Sequence, residues 1–486
     1  MNGTRSADGP SVVIIGGGLA GLAAAIGAAD AGWRVTVVEA RPRLGGLTHS
    51  FTREVAGERV AVDNGQHVFL RCCSAYRAFL HRLGVAGQTV LLPLDVPVVD
   101  PATRRKGRLR RDPLPAPLHL LRSLAGYPLL SLRERWTAAR AITALRRVDR
   151  NSRAVDQRSF GDWLAQRGVP QRAVDRLIDV FTVATLNAPA ALVSLGIAAM
   201  VFQDGLLTDR TACDIGYATV PLGELHGSAA GRLLGALGVR VLLRTSARSV
   251  MPQGDRWQVE VADPAGVPRI LDADAVVVAV PHDRATRLLP PGALPVSPGL
   301  LHSSPIINVH VIYDRRVLDR PFLASVESPA QFIFDRTTAS GLAAVRPEWQ
   351  YLAVSVSAAT RWIREPVAAI RAVFLPAVQE ILPDARTAEV IDFFVTREPQ
   401  ATFLPEPGSA AYRLGTRTRL PGLFLAGAWT DTGWPATMEG AVRSGWAAAA
   451  ALGELSGRFD APVVDLRGEK PGNVAAPRED PAGVEA

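Results

Sequence analysis

The chain has 486 residues, 48% of them hydrophobic, enough to bury a large core and divide into two domains. The formal net charge is +8, yet the basic residues are almost all arginines interspersed with acids, and lysine occurs only at Lys106 and Lys470, so nucleic acid is not an expected partner. Cys72, Cys73 and Cys213 make neither a disulfide framework nor a zinc-ligand spacing, the polar N-terminus lacks a signal-peptide design, and no stretch reaches the ~18 apolar residues of a membrane span.

The first element in chain order is the run Val12-Val13-Ile14-Ile15, which enters glycines at Gly16, Gly18 and Gly21 and then Leu22-Ala23-Ala24-Ala25-Ile26. This is G-x-G-x-x-G between a buried strand and a helix, the context in which glycines admit a pyrophosphate to the backbone and the helix N-terminus receives it. Leu19 and Ala20 lie inside the turn. A second strand ends at Glu39, 18 residues after Gly21, near the ~20 expected for a carboxylate that holds a ribose hydroxyl. Ala40 follows, and then Gly45-Gly46, a second glycine pair that suggests another close approach of backbone to cofactor. A simple NAD site seldom needs that pair; the glutathione-reductase-type FAD fold does.

Polar groups then interrupt an apolar run in Asp63-Asn64-Gly65-Gln66-His67-Val68-Phe69, where Asp63 and His67 are candidates to touch cofactor or substrate, although a turn aspartate and a structural histidine explain them as well. Composition shifts near Asp100. The basic run at 104–111 is followed by a proline-broken apolar stretch and a capping box, Ser131 with Glu134. The helix it opens sets Leu132, Trp136, Ala139, Ile142 and Leu145 toward one side, a surface suited either to a membrane interface or to domain packing.

Apolar helices fill the chain to about residue 210. Strand patterns return at Val239–Leu243, Trp257–Val261 and Ala275–Val280. Clean alternation in Ile306-Ile307-Asn308-Val309-His310-Val311-Ile312 and in Tyr351–Val356 fits an antiparallel sheet with one wall on a cavity. A last strand near Gly422–Ala426 reaches Gly427, and a helix beginning near Thr437 and Met438 directs its N-terminus at the cofactor. The expected division is 1–90, 215–290 and 412–466 for the cofactor domain, 91–214 and 291–411 for the substrate domain, and 467–486 for a disordered tail.

With both ends read, the chain resembles the FAD-dependent amine oxidase and phytoene desaturase superfamily. Within it, 63–69, 72–76, 331–336 and 432–445 resemble the hydroxysqualene dehydroxylase family. The resemblance implies an α/β fold: a glutathione-reductase-type FAD-binding Rossmann domain with a discontinuous α+β substrate domain. It implies FAD contacts at Gly16, Gly18, Gly21, Glu39, Gly46, the backbone near Ala247, Gly427, Thr437 and Met438. Two positions depart from the superfamily pattern: Leu47 replaces a common arginine, and Ala428 replaces an aspartate that serves the ribityl chain, a task Asp431 is expected to take.

The implied activity is reductive dehydroxylation of hydroxysqualene, a hydrophobic isoprenoid alcohol of the hopanoid route, by hydride from flavin N5. Asp63 or His67 would polarise the leaving hydroxyl. The electron donor is unspecified, and the setting is cytoplasmic or peripheral to the inner face of a membrane. Alternatives are a carotenoid desaturase or isomerase, a non-catalytic isoprenoid carrier, and an amine oxidase, the last disfavoured by the scarcity of lysine.

Overall fold

The computed structural model describes residues 9–457. The expected disordered tail at 467–486 lies outside the described residues, as do the last positions of the 412–466 segment. Val12 and Ile14 belong to one buried cluster and Val13 and Ile15 to another, so the strand Ser11–Ile15 needs apolar neighbours on both faces. It finds them at the centre of a five-stranded parallel sheet ordered Arg240–Leu242, Arg34–Val38, Ser11–Ile15, Ala275–Val278, Leu423–Leu425. One face packs on the helices Leu19–Asp30 and Met438–Leu455, and the other on an antiparallel sheet of Ser246–Gln253, Arg256–Ala262 and Pro268–Ala273. The two helices pack closely because Gly445 has no side chain: a Cβ there would stand 2.2 Å from the Ala20 carbonyl oxygen.

The second layer system is a seven-stranded sheet ordered Val390–Phe403, Ser303–Tyr313, Gln350–Val356, Phe332–Asp335, Phe322–Ser325, Asp95–Asp100, Arg105–Arg110. Its outer face, carrying Ile307, Val309, Val311, Ile333 and Val354, is covered by the helix Val367–Ile381. A third sheet joins Val68–Leu70, Ile215–Ala218 and Thr89–Leu92. The chain enters the parallel sheet in three separate stretches, which gives the expected α/β fold with a discontinuous second part.

The helix Leu132–Ala144 carries both halves of its capping box, but its apolar stripe divides. Thr137, Ala138, Ala141 and the following Leu145 are buried, whereas Leu132 and Trp136 stand out, 77% and 61% exposed. The core accepts the small residues one step round the helix, and the largest apolar ones are left to solvent. Among the described residues no helix is long and apolar enough to cross a membrane.

Candidate functional site

The glycine turn is built by close contacts. Gly16 adopts φ 112°, and a Cβ at Gly21 would lie 1.9 Å from the Gly16 carbonyl oxygen. Glu39 sits directly against this turn: its Oε2 accepts from Gly17 N at 2.6 Å and its Oε1 from Arg41 N at 2.7 Å. The second glycine pair closes on the first, since Gly45 N donates to Gly17 O at 2.8 Å and a Cβ at Gly46 would stand 2.9 Å from Gly18 Cα. Leu19 and Ala20 begin the helix, both buried, while Ala40 is exposed beside Glu39.

Across the cleft, Gly427 N donates to Ser444 Oγ at 2.8 Å, which fixes the end of the last strand to the helix Met438–Leu455. Thr437 caps that helix, its Oγ1 accepting from Gly440 N. Glu439 is buried, accepts from Ala75 N and Tyr76 N, and pairs with Arg443 at 2.5 Å, so it ties this helix to the start of the helix Ser74–Arg82. Arg413 fastens the intervening loop through the carbonyl oxygens of Trp429, Thr430 and Trp434 at 3.3, 2.7 and 2.5 Å. Asp431, the expected partner of the ribityl chain, lies in the same loop; its side chain is exposed and its Oδ1 accepts from Gly433 N at 3.3 Å. Ala247 lies in the strand Ser246–Gln253 opposite Val261, where the ladder is irregular.

Asp63, one of the two candidates expected to polarise the hydroxyl, is engaged on both oxygens. Its Oδ1 accepts from Ser50 Oγ at 2.6 Å and from Leu222 N at 2.9 Å, and its Oδ2 pairs with Arg336 at 2.7 Å. Both oxygens are occupied and both partners of the ion pair are buried, so Asp63 is an anchor. His67 has no hydrogen-bond partner among the described residues. Enclosure pushes its imidazole down to about 4, against the opposing pull of Asp63, leaving it neutral near pH 7.

The segment around His67 rests on the inner face of the seven-stranded sheet. Residues directly opposite on neighbouring strands share a face. One row therefore runs Thr396, Asn308, Ser355, Phe332, and the next Phe394, His310, Ala353, Phe334, Phe322. Asn308 Nδ2 and Thr396 Oγ1 both donate to Asn64 O, at 3.3 and 3.1 Å, so the polar end of this floor holds the loop that carries His67. Small Ala353 and Ser355 follow, and then the phenylalanines. Neither Asn308 nor Arg336 stood out in the sequence as a functional residue. The alternation at 306–312 shows that Asn308 and His310 share a side, and that was the only local signal.

These features make a nucleotide cleft joined to a floor that is polar at one end and aromatic at the other. A family model described as flavin containing amine oxidoreductase matches residues 19–453. The chain belongs to this family. The hydroxysqualene dehydroxylase of Rhodopseudomonas palustris is 28% identical over 441 residues, 90% of this chain and 96% of that protein. The 15-cis-phytoene desaturase of Capsicum annuum is 25% identical, covering 91% of this chain and 77% of that protein. Among solved structures, a putrescine oxidase double mutant superposes with TM-score 0.70 at 19% identity, covering 91% and 98% of the two chains. Cyclohexylamine oxidase from Brevibacterium oxydans superposes with TM-score 0.69 at 21% identity, covering 92% and 99%.

Membership makes the chain an FAD-dependent oxidoreductase, and its residues fit the cofactor. The glycine turn leaves backbone where a Cβ would intrude, Glu39 stands within hydrogen-bond reach of that turn, and the Thr437-capped helix faces the same cleft from the last strand.

Proposed function

We propose that the chain converts hydroxysqualene to squalene. In this reaction the allylic carbon–oxygen bond breaks, the oxygen leaves as water after taking up a proton, and the carbon receives hydride. Reduced FAD, when bound, supplies that hydride. The observation that carries the reading is the junction of the two halves of the site, made by the loop of half-buried, unpartnered His67. Asn308 and Thr396 of the floor hold this loop on one side through Asn64 O. On the other side the His49 carbonyl accepts from Asn64 N at 2.9 Å, and the His49 ring meets Gly46 O of the glycine pair at 3.1 Å. The neutral imidazole of His67 can donate one hydrogen bond to the hydroxyl oxygen, orienting the alcohol and polarising the bond. Ala353, Phe332 and Phe334 exclude water, which would otherwise recapture the cation. The 28% identity to the R. palustris enzyme, spanning nearly the whole of both chains, supports the same substrate class.

The proposal includes peripheral attachment to a membrane, the source of so apolar a substrate. Leu118, Leu121, Leu132 and Trp136 are 49%, 54%, 77% and 61% exposed, and Arg140 lies over the Trp136 ring at 4.9 Å. Another cellular component supplies electrons to the flavin. Product analysis by mass tests the reading: the holoenzyme under reducing conditions forms squalene from hydroxysqualene. Conversion of phytoene to a more unsaturated product, with the alcohol left intact, would replace it with a desaturase.

A further inference from the structure

We infer that Tyr217, Phe322, Phe332 and Phe334 form an aromatic wall that stabilises the positive charge on the substrate carbon after the hydroxyl has left; this rests on the dehydroxylation reading above. The four rings make one continuous row. Tyr217 meets Phe322 edge-on at 6.5 Å, Phe322 meets Phe334 at 5.8 Å, and Phe334 stacks on Phe332 at 6.4 Å. Strand pairing fixes three of them on the inner face of the seven-stranded sheet, because Phe322 opposes Phe334 and Phe332 stands two residues before it. Tyr217 comes from a different sheet and opposes Val68, the residue after His67. The row therefore runs from the strand that follows His67 along the floor of the seven-stranded sheet.

All four rings are only partly buried. Phe322 and Phe332 also pack on the helical cluster, and partial burial leaves some ring surface uncovered. Phe322 and Ile215 also belong to the wall of a groove of about 1820 Å³ that runs between the Asp95–Arg110 hairpin and residues 316–323 and 381–384. Ring faces carry negative quadrupole potential and attract a cation without being able to bond to it. A free carboxylate would instead capture an allylic cation as an ester. The carboxylate next in the chain to Phe334 is engaged: Asp335 accepts from Thr337 N and from Gln350 Nε2 at 2.9 and 2.7 Å. The rings are therefore the groups of this segment free to face the charge. The electron pair of the carbon–oxygen bond departs with the oxygen, which takes a proton drawn from solvent and leaves as water; the wall would hold the resulting cation, and reduced FAD, when bound, would supply the hydride.

The test uses oxidised holoenzyme and reads binding through the flavin spectrum, so it needs no turnover. One probe is an aza analogue of the alcohol with an ammonium in place of the carbinol carbon, and the other is squalene, its neutral counterpart. The intact protein should prefer the ammonium, and Phe334→Leu should reduce the ratio of ammonium to squalene affinity about tenfold with flavin content unchanged. Because leucine could disturb the sheet, a second series replaces Phe334 with mono-, di- and trifluorophenylalanine, which keep the ring's shape while draining its face. The preference should fall with each fluorine. Equal binding of the two probes by the intact protein, or a preference that ignores fluorination, overturns the inference. Absence of squalene formation by the unmodified enzyme overturns the dehydroxylation reading instead, and the two failures are read in separate assays.

Discussion

Arg336 and Asp63 meet at 2.7 Å, and with this ion pair the end of a strand in the seven-stranded sheet is fastened to the strand that leads into the His67 loop. Both side chains are almost fully enclosed. Removing one partner of such a pair leaves a buried charge without compensation, at a cost of about 3–5 kcal/mol. Arg336→Met is therefore expected to lower the denaturation midpoint sharply, and the double change Arg336→Met with Asp63→Leu to recover much of that loss. Urea unfolding of the wild type, the two single variants and the double variant measures it; an additive double variant would mean that the two groups do not interact.

The contact between Gly445 and Ala20 sets the distance between the two helices that flank the cofactor cleft. Gly445→Val should cost about 1–3 kcal/mol through overpacking and reduce the ratio of flavin to protein after purification. Gly235 provides the contrast, since its added Cβ meets nothing within 4 Å and it lies in the helix Ala229–Ala236. Gly235→Ala should raise stability by about 0.5–1 kcal/mol and leave flavin content unchanged.

Glu39 already holds the Gly17 amide, so its carboxylate is placed before the cofactor arrives. Charge-assisted hydrogen bonds of this kind contribute about 1.5–3 kcal/mol, so Glu39→Ala should weaken FAD binding about tenfold to a hundredfold. Flavin fluorescence titration of the apoprotein reads the change. An unaltered Kd would mean that the carboxylate serves only its own turn.

Two fully enclosed histidines, His226 and His310, and the half-buried His67 contribute to the acid sensitivity of the fold. Burial pushes His226 and His310 each down to about 3 and His67 to about 4, from an ordinary 6.5. Between those values and 6.5 the unfolded chain binds protons that the native state does not, so stability is complete above about pH 6.5 and declines as pH falls. At pH 5 the loss is about 2 kcal/mol for a fully enclosed histidine such as His310. His310 is held by Tyr351 at 2.7 Å and by Thr396 at 3.1 Å, so His310→Gln should flatten the decline while lowering stability at pH 8. Denaturant unfolding across pH 5–8 shows both effects.

The parts of the site visible in the sequence are those whose chemistry is local. Gly16, Gly18 and Gly21 declare a phosphate turn by spacing alone, Glu39 follows at the length of one helix and one strand, and Thr437 caps a helix whose small residues announce close packing. What was hidden depends on distant partners. Asp63 is as polar in the sequence as a catalytic acid, and only the approach of Arg336, 273 residues on, shows that it is an anchor. Alternation put Asn308 and His310 on one side of a strand, but the row from Thr396 to Phe332 required the order of four strands. Leu132 and Trp136 fell outside the buried face because an amphipathic helix with two apolar edges does not say which edge the core will take.

The most direct test of the account is an anaerobic single turnover. Holoenzyme with its flavin fully reduced is mixed with hydroxysqualene in the absence of oxygen, and flavin absorbance and extracted lipid are followed together. The account predicts one equivalent of oxidised flavin and one of squalene, appearing at the same rate. A flavin that stays reduced while the alcohol remains intact would contradict it.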